Sequence, residues 1–368
     1  MPSVVAAAGE YRTDTLIIGA GQAGLAAAYY LQQAGVPCLL LEQAAEVGRV
    51  WASRYASLRL FSPAWASALP GLKWPGPGLR YPTKDEAAQY LRLYANYFNF
   101  EVHLGQRVVR VSLADGGGFG ALTEAGAHYL ARRVIVCTGG FGAPHVPAWA
   151  SALGAGVQQL HSSQYQAPEQ LLGSGAVAVV GSGNSALQIA ADVAATGRPV
   201  YAAFDPGTPA MPNNTLMWVL LKTFGILGLS RHGLLGRWLH RRAEPVVAGD
   251  LRRLRRFANV HWIGRARQAE SAALLADAGR TPPLQAVVWA TGFRPDYRWL
   301  ELPVLDSQGF PLHHRGISTV PGLAFLGLPW LDSRGSALMG GVGADAQRVV
   351  KALLASQKVV RQKKGTPA

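Results

Sequence analysis

The stretch Leu16–Glu42, LIIGAGQAGLAAAYYLQQAGVPCLLLE, decides the fold. From Thr15 to Leu41 it carries no charged residue and is long enough to span a bilayer on length alone. Its punctuation argues otherwise. Gly19, Gly21, Gly24, Gly35 and Pro37 cut the run into a strand (Thr15–Ile18), a tight turn, a helix (Ala23–Gln33) and a second strand (Val36–Leu41), the plan of a buried βαβ unit. In that context GxGxxG has a physical meaning. Gly19 allows the turn, Gly21 lets a pyrophosphate approach the backbone, Gly24 lets helix and strand pack closely, and the helix N-terminus stabilises phosphate charge. Glu42, 23 residues after Gly19, is placed to accept hydrogen bonds from adenosine ribose hydroxyls.

The plan recurs. Ala176–Val180, Ala186–Ala195 and Val200–Phe204 read as strand, helix and strand, with Gly181, Gly183, Asn184 and Ser185 in the intervening turn. Two dinucleotide turns imply two dinucleotides, and hydride passes between a flavin and a nicotinamide. The expected fold is α/β with two Rossmann-like dinucleotide-binding domains, the nicotinamide domain (151–292) inserted into an FAD domain made of 1–150 and 293–368. Gly139–Gly175 and the chain after Thr291 read as the crossovers. Lys84–Phe100 has helical spacing, Val108–Val111 and Val134–Thr138 read as strands, and Ser53–Pro82 as ordered loop. Gly322–Leu328 reads as a returning strand and Ala344–Gln357 as the last helix, ahead of a frayed tail, RQKKGTPA.

With 368 residues, 49% hydrophobic and 15% charged, the chain has material for roughly two to three domains, and wholesale disorder is excluded. Its net charge of +14 invites a nucleic-acid reading. Arg231–Arg256 alone, with eight Arg against Glu244 and Asp250, carries +6 of it, and no recognition motif accompanies it, so no nucleic acid is expected. Arg252, Arg253, Arg255 and Arg256 around Leu251 and Leu254 fit the wet side of an amphipathic helix, the alternative being a surface for phosphate or anionic lipid. Met217–Leu229 (MWVLLKTFGILGL) reads as burial over a substrate pocket or as a surface helix for peripheral contact with anionic lipid. No transmembrane segment is expected. Cys38 and Cys137, 99 positions apart, exclude a CxxC redox pair and a disulfide framework. The N-terminal MPSVVAAAGEYRTD lacks the pattern of a signal peptide, so a cytoplasmic protein is expected. His313 and His314, adjacent on a strand, point to opposite faces without a third ligand, so no metal is expected.

Three further segments carry a resemblance: EVGRVWASRYASLRLFSPAWASALPG (46–71), VVWATGFRPDYRWL (287–300) and LPWLDSRGSALMGGVGADA (328–346). With the two glycine turns, they resemble the flavin-containing monooxygenases, the class B flavoprotein group that includes the plant YUCCA-like enzymes, over nearly the whole chain. The likeness has departures. Gly48, Arg49, Val50 and Trp51 match GGxW with Arg for the second Gly; His161 and Tyr165 keep half of FxGxxxHxxxY/F, with Ala155 and Val157 in place of Phe and Gly.

The resemblance implies an enzyme in which NAD(P)H reduces FAD, O2 adds to the reduced flavin, and a C4a-(hydro)peroxyflavin oxygenates a small soft nucleophile (S or N) or a ketone. Gly19, Gly21, Gln22, Ala23, Gly24, Glu42, Gln43, Arg49, Val50, Trp51, Leu58, Val108, Thr138 and Gly139 are the expected FAD contacts. Gly181, Gly183, Asn184, Ser185, Asp205, Thr291 and Gly292 are those of NADH or NADPH. By resemblance Arg54, Leu58, Arg59, Phe61 and Ser62 fall near the isoalloxazine. Arg59, Ser62 and His161 are the catalytic candidates, a structural role being the alternative for His161. Asp205, 24 residues after Gly181 in a stretch (201–214) without a basic residue, favours tolerance of NADH. The alternative is that Asp205 caps a turn at Pro206–Gly207 and Arg231 or Arg237 folds back to serve NADPH. Two other functions compete: an uncoupled NAD(P)H oxidase or flavin reductase, and a non-catalytic nucleotide-sensing partner of a membrane or transport protein. Oligomeric state has no readable signal.

Overall fold

The computed structural model describes residues 4–5, 9–140 and 142–364, with side chains for 9–140 and 142–355. The strand Glu10–Ile18 runs into α1 (Gln22–Gln33), and Cys38–Leu41 returns parallel to it with Ile18 facing Leu41. That second strand starts two residues later than expected. Gly35, at φ 65°, closes α1, and Pro37 offers the ladder only its carbonyl, to Thr15 N at 3.2 Å. α1 buries Ala23, Gly24, Ala26, Ala27 and Ala28 beside Leu25 and Leu31, a face with little side chain, so the sheet comes close beneath it.

The connection that follows carries α2 (Arg49–Ala52), α3 (Ala64–Ser67) and α4 (Lys84–Tyr97). α4 opens with a capping box. Thr83 Oγ1 accepts from Glu86 N at 3.3 Å and Glu86 Oε2 from Thr83 N at 2.8 Å, a cap that contributes about 1 kcal/mol. The parallel strands of this first sheet lie in the order Val102–Leu104, Cys38–Leu41, Glu10–Ile18, His128–Val136, Leu323–Phe325. Leu40, Ile17, Ile135 and Ala324 face one another along one row, all fully buried; burying each of the three larger ones contributes roughly 1.5–3 kcal/mol.

A second sheet has five parallel strands: Val260–Trp262, Val200–Ala203, Val177–Val180, Ala286–Trp289 and Gln158–His161. α5 (Asn184–Ala194) is its crossover helix. The edge strand Gln158–His161 lies within the stretch expected to be crossover alone, because QQLH shows no alternation and its place is set by backbone pairing to Ala286–Trp289. Between Val200–Ala203 and Val260–Trp262 come α6 (Thr215–Thr223), α7 (Leu234–His240) and α8 (Ala248–Leu254). The helix expected over Met217–Leu229 stops at Thr223, where Phe224 caps it and Gly225 turns left-handed at φ 61°. α8 has the expected two-sided character: Leu251 and Leu254 are buried, while Arg252, Arg253, Arg255 and Arg256 are exposed.

The outbound and return crossovers run side by side, Ala143–Pro144 pairing antiparallel with Phe293–Arg294. The boundaries expected at 150/151 and 292/293 fall in the 3-10 turn Ala148–Ala152 and at Gly292. The returning strand covers only Leu323–Phe325, and the last helix, α9 (Val342–Lys364), exceeds the expected span at both ends. Gly365–Ala368 of the expected frayed tail lie outside the described residues. Among the described residues no helix is long and apolar enough to cross a membrane.

Candidate cofactor and substrate site

At the first turn Gly19 has φ 102°, and a Cβ there would stand 2.7 Å from the Cys137 carbonyl oxygen; a Cβ on Gly24 would stand 1.9 Å from Gly19 O. These two glycines hold the turn against the sheet. Gly21 differs. It is the N-cap of α1, and a Cβ on it would meet nothing within 4 Å, which leaves the helix N-terminus open to a phosphate. Glu42 accepts from Ala20 N at 2.9 Å and Ala44 N at 3.0 Å. Burial raises its pKa, and the N–H groups of Ala44, Ala20 and Gln43 draw it back. A half-buried carboxylate held by backbone, with no ion-pair partner among the described residues, suits ribose hydroxyl donors. The turn, the carboxylate and the open helix end fit an FAD pyrophosphate and ribose.

The other FAD candidates divide. Gln106 N donates to Glu42 O at 2.8 Å, which brings Val108 to the same edge, and Thr138 and Gly139 (φ 73°) follow Cys137, against which Gly19 packs. Gln22 joins three segments: its Oε1 accepts from Trp51 Nε1 at 3.3 Å and its Nε2 donates to Ala337 O at 3.3 Å. Ala23 lies under Gly327, where a Cβ would come within 2.6 Å of it. By contrast Gln43, Arg49 and Val50 stand exposed, and Arg49 Nη1 lies 3.6 Å from Glu46 Oε1. Arg49 thus pairs along the surface.

The second turn repeats the first. Gly181 (φ 149°) would place a Cβ 2.2 Å from Ala290 O, whereas Gly183, the N-cap of α5, is open. Asn184 Oδ1 accepts from Val247 N at 2.8 Å and so braces the start of α8. Asp205 caps a turn, its Oδ1 accepting from Gly207 N at 3.0 Å, while its Oδ2 accepts from Arg265 Nη2. The bond from Arg265, then that from Gly207, lowers its pKa. The turn-capping alternative is therefore the arrangement observed, and the arginine that reaches Asp205 is Arg265, not Arg231 or Arg237. Sequence reasoning missed Arg265. The signal was the Arg265–Ala266–Arg267 alternation, just past a strand that neighbours Val200–Ala203.

Three polar contacts tie the crossovers together. His161 Nε2 lies 2.9 Å from Gly292 O, which also accepts from His145 N at 2.9 Å, and Thr291 Oγ1 donates to His145 O. His161 Nδ1 accepts from Ser163 N at 3.2 Å, so Nε2 carries the proton and donates. Burial lowers the pKa of this ring, the Gly292 carbonyl opposes the shift, and Arg54 and His145 add to it. His161 is thus a positioning residue at the junction. His161→Leu should cost about 1–3 kcal/mol in thermal or urea unfolding, because the bond from the buried ring to Gly292 O and the bond from Ser163 N to it are both lost. With a folded pKa below the ordinary value, its contribution is fully present above about pH 6.5 and is lost as the pH falls below that. Wild type should therefore lose more stability than His161→Leu on acidification; equal slopes would refute the assignment.

The loop expected near the isoalloxazine also reaches across, through Tyr55 and Ser57, for which the sequence offered no role. Tyr55 OH donates to Gln188 Oε1 at 2.9 Å, Ser57 Oγ donates to Asp192 Oδ2, and Leu58 packs against the cores of both sheets. Of the catalytic candidates, Arg59 is exposed with Nη1 3.4 Å from Tyr81 O, and Ser62 Oγ is committed to Ser67 Oγ at 2.7 Å. Phe61, between them, lines a cavity of about 300 Å³ with Asn184, Met217, Trp218, Leu221, Trp330 and Leu338. Its one carboxylate, Glu244, is engaged by Trp330 Nε1 at 2.7 Å and Arg334 Nε at 3.2 Å. His313 packs toward Phe325 and His314 toward His232.

A family model described as pyridine nucleotide-disulphide oxidoreductase matches residues 16–219, more than half of the chain. The chain belongs to that family. It is similar to the uncharacterized oxidoreductase CzcO-like of Geobacillus kaustophilus, 38% identical over 94% of this chain and 99% of the relative. A second relative, the probable indole-3-pyruvate monooxygenase YUCCA1 of Arabidopsis thaliana, is 34% identical over 48% of this chain and 44% of its own length. The solved flavin-containing monooxygenase from Stenotrophomonas maltophilia superposes with a TM-score of 0.77 at 28% identity, covering 94% and 99% of the two chains. The protein is a flavin-containing monooxygenase-like oxidoreductase, as its motifs implied, and the cofactor set FAD with NAD(P)H accords with this family. The disulphide half of the family's name has no counterpart here. Cys38 and Cys137 are both free, and burial pushes both thiols up, Cys38 to about 12, where they are inert packing.

Proposed function

We propose that the protein uses NAD(P)H and O2 to place one oxygen atom on a small, largely apolar substrate that presents a sulfur, a nitrogen or a ketone. The cavity carries this reading: Phe61 comes from the loop after the first turn, Asn184 from the second turn, and Trp330 and Leu338 from the returning segment. A molecule held there is bounded by both cofactor-binding halves. FAD, when bound, supplies hydride acceptance and activation of O2. The chain supplies binding, orientation and dryness. Gly21 and Gly183 leave two helix N-termini open to phosphates, Glu42 offers a carboxylate to a ribose, and Trp218 and Leu221 wall the cavity against water. Arg54, its guanidinium 5.5 Å from the Phe293 ring and its pKa lowered by burial, sets a positive charge at the junction. With Glu244 held by Trp330 and Arg334, the wall presents no acid–base pair of its own, which suits chemistry performed by a cofactor.

The test supplies the FAD-loaded protein with NADPH or NADH, O2 and, in turn, methyl phenyl sulfide, a tertiary amine and cyclohexanone. Expected is a product heavier by one oxygen atom, formed in step with nucleotide oxidation and with release of one water. Nucleotide oxidation matched entirely by H2O2 for every compound would replace this reading with the oxidase one.

A further inference from the structure

We propose that α6 and α7 form a docking surface for an anionic lipid bilayer. Seven of the nineteen large hydrophobic residues exposed among the described residues fall between Leu216 and Trp238, among them Leu216, Leu220 and Phe224 on or beside α6 and Leu234, Leu235 and Trp238 on α7. Phe224 is 69% and Leu234 80% exposed. Bare apolar side chains gathered in one short stretch of chain point to an interaction site. The same stretch, 215–242, carries Lys222, Arg231, Arg237, Arg241 and Arg242 and no acidic residue. No ion pair among the described residues reaches Arg237, Arg241 or Arg242, and the Arg242 guanidinium sits 3.7 Å from the centre of the Trp238 ring.

Charge complementarity selects the occupant. Apolar side chains interleaved with cations match a surface that is anionic at headgroup level and apolar just below it, and tryptophan beside arginine suits that boundary. A second copy of the chain meeting this face with the same face would set five cations against five. The support is firm. Arg231 N donates to Asp332 O at 2.6 Å, Ser230 Oγ donates to Asp332 Oδ1 at 2.6 Å, and the His240 ring lies 4.9 Å from that of Trp330. α6 has two working sides, since Trp218 and Leu221 line the cavity while Leu216 and Leu220 face outward.

The experiment is co-sedimentation of the whole FAD-loaded protein with vesicles of phosphatidylglycerol and phosphatidylcholine, and with vesicles of phosphatidylcholine alone. Wild type should sediment with the anionic vesicles at low salt and be released by high salt. Arg237→Glu/Arg241→Glu/Arg242→Glu should lower that partition by at least about tenfold, as should Leu234→Asp/Trp238→Asp, with flavin absorbance and the rate of flavin reduction by NADPH unchanged in both. Equal partition on the two vesicle types, none on either, or variants that bind like wild type would overturn the proposal. So would a dimer dispersed by Leu234→Asp/Trp238→Asp in the absence of vesicle binding, which would assign the face to a second copy. Because sedimentation needs no turnover, these outcomes are independent of the oxygenation reading.

Discussion

Gly21→Leu should give a protein that is folded, colourless and unable to oxidise NAD(P)H. The backbone at Gly21, φ −77° and ψ −172°, is open to any residue, and no atom lies within 4 Å of the added Cβ, so the fold has room for the side chain. The pyrophosphate does not, because leucine fills the space in front of the α1 N-terminus. Loss of FAD affinity by about a thousandfold or more, roughly 4 kcal/mol, is expected. Flavin absorbance of the purified protein, its circular dichroism and reconstitution with added FAD read the result. Gly24→Leu is the contrast, since its Cβ would collide with Gly19 O at 1.9 Å and the fold itself should suffer. A yellow, active Gly21→Leu protein would remove FAD from this turn.

The second large effect concerns the choice of nucleotide. An acid at the end of the second strand normally accepts the ribose 2′-hydroxyl and repels a 2′-phosphate. Here Asp205 is neutralised by Arg265, with Arg267 close enough to lower its pKa further. The pair offers an acceptor to NADH and a cation to NADPH, so wild type should use both. Arg265→Glu replaces the paired cation with a second acid and should lower kcat/KM for NADPH by about 100-fold, the worth of a charge-assisted hydrogen bond, with NADH changed far less. Asp205→Asn should move the ratio the other way. Binding of 2′,5′-ADP relative to 5′-AMP reads the same preference without turnover, and FAD content controls for general damage. A preference indifferent to both substitutions would place the 2′-position elsewhere.

Both glycine turns were legible because their demands are local. A left-handed φ at Gly19 and a carbonyl within 2 Å of a Cβ at Gly24 allow one residue type, and the spacing to Glu42 follows from strand and helix lengths. What sequence could not show is what distant segments do to one another. Asp205 had the right spacing, yet Arg265, 60 residues on, decides what its carboxylate faces. Ser62 had the right neighbourhood, but Ser67 takes its hydroxyl. The link from Tyr55 and Ser57 to Gln188 and Asp192 spans more than 130 residues, and no periodicity announces it. The edge strand Gln158–His161 was hidden for the same reason: its pairing partner lies beyond residue 285.

Where Ala143–Pro144 and Phe293–Arg294 lie side by side, the unit between them hangs from the rest by two adjacent chains rather than one. Two pins on one line make a door. Beside that line the bonds of His161 and His145 to Gly292 O tie the two chains to each other. On the far side Tyr55 and Ser57 bond to α5, with Tyr55 buried in the core of the second sheet. Were that unit to swing about this line, a nicotinamide held at its glycine turn would be presented with one face forward. Hydride should accordingly leave from a single side of the ring, which nucleotide deuterated at one or the other C4 position would reveal.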